Sequence, residues 1–449
     1  MPGLLVIGGS DAGISGALRA RELDPAVEIK VVVADDYPNF SICGLPFYLS
    51  GEITDWHTLA HRTLAELQAT GVEFFLGHTA RQIDPTRKRV LVTNRQGQGL
   101  TFNYNKLIIG TGAVPVPPPI SGLDLPGVFP LHTMEESFAL DHNITEKKPK
   151  SVLIVGSGYI GLEMADALTH RGLEVTLVGR PKAVLPTVDA GFGQLVEEEL
   201  KRQGVKVFSG VTVERIETTD NGANLAVSGS KGFQGQAELV LVATGVRPNT
   251  GLVQNTGIKT GINGAICVDR KMRTNLPDIY AAGDCVETYH HLLERYIYLP
   301  LGTTSHKQGR VVGENVVGGQ RLFQGTLGTQ VVKVFNLVIA RTGLTHDEAL
   351  EAGYDPITTE SKHWDHKKYY PNPKELLIRL TGDRKTGKLL GAQILGQWHS
   401  EISKRVDIFA TALYHGMTIE ELNDLDLSYT PPLSSPWDPV QMSAQAWAR

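Results

Sequence analysis

Two short Val/Ile-rich runs, each broken by a glycine turn that leads into a helical stretch, constrain this chain more than any other feature. The first runs from Leu4 to Ile7 and turns at Gly8-Gly9-Ser10-Asp11-Ala12-Gly13. It continues as a helix through Arg21 and returns as the strand Glu28 to Val33. The second runs from Val152 to Val155 and turns at Gly156-Ser157-Gly158-Tyr159-Ile160-Gly161. It continues through His170 and returns as Glu174 to Val178. A strand, a glycine turn, a helix and a second strand make a parallel βαβ unit, so the chain is expected to hold two doubly wound α/β domains. In each turn the first glycine permits the bend and the last permits close helix–strand packing. The free N–H groups of the helix N-terminus then face a pyrophosphate.

The two turns differ in detail. The first carries Ser10 where the middle glycine usually stands, and an acid that binds a ribose hydroxyl is expected after its second strand. Asp35 is the candidate, with Asp36 beside it. The second turn is a full GxGxxG and opens a helix that carries Glu163. Its next strand ends in Gly179-Arg180-Pro181-Lys182. Glycine in place of the acid, with two bases after it, suits a ribose 2′-phosphate. NADPH is therefore expected, with NADH left open.

With 449 residues, the chain has room for two or three domains and a sizeable core. A net charge of −5 gives no basis for nucleic-acid affinity, and no apolar run has membrane-spanning length. Met1 to Ile7 leads straight into a strand, so a signal peptide is not expected. Three cysteines, Cys43, Cys267 and Cys285, argue against a disulfide framework and for the cytoplasm. No metal site is expected. The Pro-rich stretch Pro115 to Gly122 reads as a linker, and a further boundary lies near Gly318 to Gly325, after a helix over Ser305 to Val317. Beyond it, Gln330 to Thr342, Leu376 to Thr381 and Leu389 to Leu395 look like strands. Ser403 to His415 and Thr418 to Leu422 look helical, and a Pro-rich tail runs from Tyr429 to Arg449.

Four further segments bring in a family. Leu107-Ile108-Ile109-Gly110-Thr111-Gly112-Ala113 and Leu241-Val242-Ala243-Thr244-Gly245-Val246-Arg247-Pro248-Asn249 resemble the two returning segments of the flavin disulfide reductase superfamily. Ile279-Tyr280-Ala281-Ala282-Gly283-Asp284-Cys285 is similar to its second FAD motif. Pro300-Leu301-Gly302-Thr303-Thr304 precedes a helix resembling the one aimed at the flavin pyrimidine edge, where a helix N-terminus stabilises negative charge. The resemblance implies an FAD domain made of residues 1–118 and 249–325, a nicotinamide-nucleotide domain at 119–248 and a C-terminal α+β dimerisation domain at 326–449. It implies cofactor contacts at Gly8, Gly13, Asp35, Ala80, Thr111, Gly112, Asp284 and Thr303 on the flavin side. On the nicotinamide side it implies Gly156, Gly158, Tyr159, Ile160, Gly161, Glu163, Arg180, Lys182 and Gly245.

The segment Phe40-Ser41-Ile42-Cys43-Gly44-Leu45-Pro46 resembles the single-cysteine branch of that superfamily: coenzyme A disulfide reductases, NADH oxidases and NADH peroxidases. Position 46 is Pro and position 48 is Tyr, so Cys43 has no vicinal partner and works alone, as a mixed disulfide or a sulfenic acid. Oxidases and peroxidases of the branch usually carry a histidine where Asp11 stands here. Tyr369-Tyr370-Pro371 and Ser428-Tyr429-Thr430-Pro431-Pro432 resemble the coenzyme A disulfide reductase sites whose tyrosines enter the partner subunit. Cys43, Tyr370 and Tyr429 are therefore the expected catalytic residues of a homodimer. Ile42, Glu22 and His306 depart from that pattern, with Arg19, Arg21 and Lys307 left for substrate phosphates. No fused rhodanese domain is expected after Arg449. The expected reaction is reduction by NADPH, through FAD, of a low-molecular-weight disulfide, coenzyme A disulfide or a similar one, with persulfide or polysulfide as a further candidate. An NAD(P)H oxidase or peroxidase, and an electron-transfer flavoprotein of the ferredoxin-reductase type, are the alternatives.

Overall fold

The structure, a computed structural model, describes residues 3–219, 222 and 224–447. The ends of the expected tail and of the expected N-terminal strand segment, residues 448–449 and 1–2, lie outside the described residues.

Both βαβ units form where the apolar runs predict them. Leu4–Ile7 pairs in parallel with Ile29–Val32 on one side and Lys106–Ile109 on the other. Glu73–Phe75 and Ile279–Ala281 complete a five-stranded parallel sheet at its two edges. All four residues of Leu4–Ile7 are buried, as a central strand covered on both faces requires. Ile279–Ala281 joins this sheet although the whole second unit precedes it in the chain. That second unit is another parallel sheet of five strands: Lys206–Ser209, Glu174–Gly179, Ser151–Val155, Leu239–Val242 and Val128–Pro130, in that order.

Two short strands tie the units together. Ala113–Pro115 pairs antiparallel with Val246–Pro248, so the expected linker begins as a strand. Two antiparallel meanders were not foreseen, one spanning Thr79–Asp84, Arg89–Thr93 and Gly99–Asn103, the other Val213–Thr218, Leu225–Gly229 and Phe233–Ala237.

The C-terminal unit is an antiparallel sheet of five strands with helices on one face. The segment read as one strand, Gln330 to Thr342, is a hairpin of Gln330–Val334 and Leu337–Gly343, turned at Phe335, whose φ is +54°. Pro356–Trp364 is an edge strand that the sequence reading missed, because its polar PITTESKHW pattern shows no continuous apolar run. The Pro-rich tail also holds a helix, Pro439–Trp447, whose first residue is a proline with its ring preset for helical φ. Trp447 anchors that helix by donating from Nε1 to the Ile357 carbonyl at 2.9 Å. The helix expected to start at Ser305 starts at Gly302 and runs to Val316.

Val332, Val334, Ile339, Leu377 and Leu395 pack into the same apolar cluster as Leu162, Phe192 and Val196 of the second βαβ unit. Polar contacts fix the registry of that junction. Lys333 Nζ and the Phe335 N–H both reach Asp166 Oδ2, at 3.2 and 2.8 Å. No helix of the described residues is long and apolar enough to cross a membrane.

Candidate active site

In the first glycine turn, Gly8 has φ +115°, and a Cβ there would stand 2.0 Å from the Gly110 carbonyl oxygen. A Cβ on Gly13 would stand 2.1 Å from the Gly8 oxygen. Both glycines are therefore demanded by backbone packing. Ser10 caps the Asp11–Leu23 helix without a side-chain cap bond, so the first helical N–H groups stay available to an anion. At the end of the second strand, Asp36 pairs with Arg95, while Asp35 Oδ1 accepts the Tyr37 N–H at 2.9 Å. Ala80 sits half-buried against the same core, on the Thr79–Asp84 strand. Thr111 donates its hydroxyl to the Asn249 carbonyl at 2.6 Å, which joins the two returning segments beside Gly112, itself at φ +68° with no atom near its missing side chain.

Asp284 lies under the N-terminus of the Gly302–Val316 helix. Its Oδ1 accepts the Ser305 hydroxyl at 3.0 Å, and burial pushes its carboxyl above the usual range. Thr303 is exposed in the first turn of that helix. Gln308 locks the turn before Asp284 by accepting the Gly283 N–H at 2.8 Å.

The second glycine turn repeats the steric demand. A Cβ on Gly156 would come 2.1 Å from the Ala243 oxygen, and one on Gly161 would come 1.9 Å from the Gly156 oxygen. Gly158 is different: nothing in the chain lies within 4 Å of where its Cβ would be. Gly245, at φ +105°, is likewise open. The buried Ser157 hydroxyl has no hydrogen-bond partner, and a Cβ on Gly179 would stand 2.2 Å from it. Ser157 thus occupies the space an acidic side chain at 179 would need. Arg180 and Lys182 are both exposed, and neither makes an ion pair among the described residues. Tyr159 accepts the Thr187 hydroxyl at 3.2 Å, and Ile160 is exposed at the helix start. Burial, reinforced by Asp166 and opposed by Lys333, pushes the Glu163 carboxyl up to about 7. An open glycine, a buried hydroxyl without a partner and two unpaired bases fit a phosphorylated dinucleotide at this turn.

Cys43 sits in a single helical turn, Ile42–Gly44, which leads into the short helix Leu45–Ser50. Its thiol reaches solvent, yet desolvation in its recess pushes its pKa up, and the carboxylates of Glu163, Asp11 and Asp284 push it further. Residues from both nucleotide-binding units therefore act on one sulfur. Cys285 is fully buried, with its Sγ 3.4 Å from the Ala282 carbonyl, and Cys267 lies near Glu287. Neither is in contact with Cys43, which is a free thiol.

The two C-terminal tyrosine segments lie beside each other, with the Lys367 N–H donating to the Pro431 carbonyl at 3.2 Å. The neighbouring Tyr429 hydroxyl pushes the Tyr369 phenol up, and Tyr370 meets His366 edge-on with ring centroids 5.8 Å apart. No hydrogen bond or ring contact among the described residues links Tyr370 or Tyr429 to Cys43 of the same chain.

The phosphate cations expected on the first helix are largely taken. Arg19 pairs with Glu22 and Glu314, each at 2.9 Å, and Arg21 donates to the backbone carbonyls of Pro25 and Gly71 at 2.5 and 3.0 Å. Lys307 remains outside any ion pair among the described residues.

Residues 2–309 match the family described as pyridine nucleotide-disulphide oxidoreductase, and residues 329–439 match the dimerisation domain of that family. The chain belongs to the pyridine nucleotide-disulphide oxidoreductase family. It is an FAD-dependent enzyme that uses a nicotinamide dinucleotide. An NAD(P)H sulfur oxidoreductase (CoA-dependent) of Pyrococcus furiosus is 34% identical over 450 residues, 98% of either chain. An NADH oxidase of Methanocaldococcus jannaschii is 32% identical over 443 residues, 98% of this chain and 97% of that one. A solved NAD-dependent persulfide reductase from A. fulgidus is 36% identical with a TM-score of 0.94, covering 98% of this chain and 82% of that one.

Proposed function

We propose that this oxidoreductase reduces a low-molecular-weight disulfide or persulfide with electrons from NAD(P)H, through Cys43 as its single redox thiol. The observation that carries the reading is the setting of Cys43. It is solvent-reachable, has no partner thiol, and lies in the field of Asp284 on the flavin side and Glu163 on the nicotinamide side. The names of the sulfur oxidoreductase and the persulfide reductase support the same reaction class.

Bound FAD supplies the two-electron relay between the nicotinamide and the sulfur. Gly8, Gly13 and the first helix N-terminus would hold its pyrophosphate, Asp35 its adenosine ribose and Asp284 its ribityl chain, and Ala80, Thr111, Gly112 and Thr303 would line the site. Gly156, Gly158, Tyr159, Ile160, Gly161, Glu163 and Gly245 would receive the nicotinamide nucleotide, and Arg180 and Lys182 are the bases that would take a 2′-phosphate. The Cys43 thiol, held protonated at rest by its recess, gives up its proton as its sulfur attacks one sulfur of the substrate; the S–S bond breaks, and the leaving thiolate takes up a proton. Reduction of the Cys43 mixed disulfide by two electrons originating from NAD(P)H, with uptake of two protons, would restore the Cys43 thiol and free the second thiol. Tyr370 and Tyr429 act from the partner subunit of a homodimer as proton donors to the leaving thiolate. Coenzyme A disulfide is the first substrate to test, although Lys307 is the cation left for its phosphates once Arg19 and Arg21 are engaged.

The second reading is an NAD(P)H oxidase that cycles Cys43 through a sulfenic acid, which the NADH oxidase relative keeps in play. Anaerobic turnover with a disulfide, set against oxygen consumption in air, separates the two. Cys43→Ser is expected to retain FAD and to lose disulfide turnover by orders of magnitude, because the covalent acceptor is gone. Undiminished disulfide turnover in that variant would overturn the proposal.

A further inference from the structure

Asp11, His61 and His306 are far apart in the sequence and meet in space. One ligand-capable atom from each lies within 4.8 Å of the other two. Asp11 is the first residue of the Asp11–Leu23 helix, and His306 stands in the opening turns of the Gly302–Val316 helix. Those two helices are clamped together through small residues. A Cβ on Gly309 would stand 2.6 Å from the Ala12 carbonyl oxygen, and one on Gly313 would stand 2.4 Å from that of Gly16. The relative placement of Asp11 and His306 is therefore fixed by backbone contact. His61 arrives from a third segment. Its N–H donates to the Asn39 carbonyl at 3.0 Å, while the Asn39 N–H donates to the Gly9 carbonyl at 2.7 Å, two residues before Asp11.

The ring of His306 is oriented from behind. Its Nδ1 is 3.0 Å from the Ser15 hydroxyl, which turns Nε2 toward Asp11 Oδ1 at 3.3 Å. Histidines that bind metals are characteristically held in this way through their second nitrogen. In a tetrahedral site with bonds of about 2.0 Å, adjacent ligand atoms stand about 3.3 Å apart. The Asp11–His306 edge already has that length. His61 is exposed, with its ring 6.0 Å from that of His306, so its imidazole is free to swing in and close the third corner.

We propose that Asp11, His61 and His306 form a binding site for one divalent ion of the zinc class. Two imidazoles and one carboxylate suit zinc and its first-row neighbours, whereas magnesium and calcium take oxygen ligands. Three protein ligands leave a fourth position open. The site shares its surroundings with Cys43, which feels the Asp11 carboxylate. A bound cation would put positive charge where the chain alone puts negative charge, so occupancy would couple the ion to the redox thiol.

The test uses the FAD-loaded enzyme. It is dialysed against micromolar zinc chloride with excess magnesium, and zinc per flavin is measured by elemental analysis. Wild type and Cys43→Ser are expected to retain the same single equivalent at this site. His306→Ala and His61→Ala, each with unchanged flavin absorbance, are expected to lose that equivalent through a fall in affinity of about tenfold or more. Three results would overturn the proposal: no zinc retained by the wild type, zinc lost in Cys43→Ser, or zinc retained unchanged by both histidine variants. The first would leave Asp11 and His306 as a simple polar contact.

Discussion

The two glycine turns of this enzyme are near copies at their ends and unlike in the middle. In both, the first and last glycines face a carbonyl oxygen at about 2 Å from any added Cβ, which no side chain survives. These positions belong to the fold. The middle position is Ser10 in one turn and Gly158 in the other, and the space beside Gly158 is empty of protein. The strand ends differ as well: Asp35 after the first, Gly179 after the second. Backbone packing does not demand a glycine at position 158. A glycine motif thus mixes two demands, and the added-Cβ geometry separates them where the letters of the motif do not.

The largest expected effect tests that separation. Gly161→Ala drives a methyl group into the Gly156 backbone, which cannot rotate away, and such overpacking costs about 1–3 kcal/mol, occasionally more. The variant should melt well below wild type or fail to accumulate. Gly158→Ala meets nothing, and its φ of −85° is ordinary for alanine. It should melt close to wild type and retain FAD, while its KM for the nicotinamide nucleotide rises as the methyl enters the approach path of the pyrophosphate. Equal melting temperatures for the two variants would remove the distinction.

The same contrast explains what was legible in the sequence. Both βαβ units were readable because continuous apolar runs and steric glycines are local signals, seen in Leu4 to Ile7 and Val152 to Val155. The meanders were not, since strands such as Thr79–Asp84 are short, half-exposed and of mixed polarity. The hairpin at Phe335 was hidden because apolar residues continue through its turn. Cys43 stood out through the absence of a partner at positions 46 and 48. The capture of Arg19 by Glu314 did not, because that contact spans 295 positions and depends on how two helices pack. Ser157 was passed over for the same reason: that it fills the space beside Gly179 is visible only in three dimensions.

A smaller effect concerns the helix that opens at the second turn. The Glu163 carboxyl is held up to about 7 against an ordinary value of 4.5, chiefly by burial. A carboxyl raised by folding favours the folded state most when it is protonated. Its contribution is therefore complete below about pH 4.5 and is lost as the pH rises to about 7. Glu163→Gln stays neutral throughout and escapes that loss. The melting temperature of the variant should gain on wild type between pH 4.5 and 7 and hold a constant lead above it. A gap independent of pH would mean that Glu163 is solvated in the folded enzyme.

The finest test concerns the strand end after the second turn, where the comparison with Asp35 is sharpest. An NAD site uses a carboxylate there to accept hydrogen bonds from the adenosine ribose. Position 179 cannot supply one, because Ser157 Oγ lies 2.2 Å from any Cβ placed on it. Arg180 follows, exposed and without an ion pair among the described residues, and a guanidinium binds a phosphate through two parallel hydrogen bonds. A charged hydrogen bond is worth about 1.5–3 kcal/mol, so kcat/KM for NADPH should exceed that for NADH by about tenfold or more. Arg180→Ala should remove most of that advantage and leave NADH turnover nearly unchanged. Gly179→Asp alone should not create an NADH preference, since its side chain collides with Ser157, whereas Gly179→Asp combined with Ser157→Gly should shift the ratio toward NADH. Equal efficiency with both nucleotides in the wild type, or an unchanged ratio in Arg180→Ala, would show that the two bases are merely solvated and that the second turn reads its ribose by other groups.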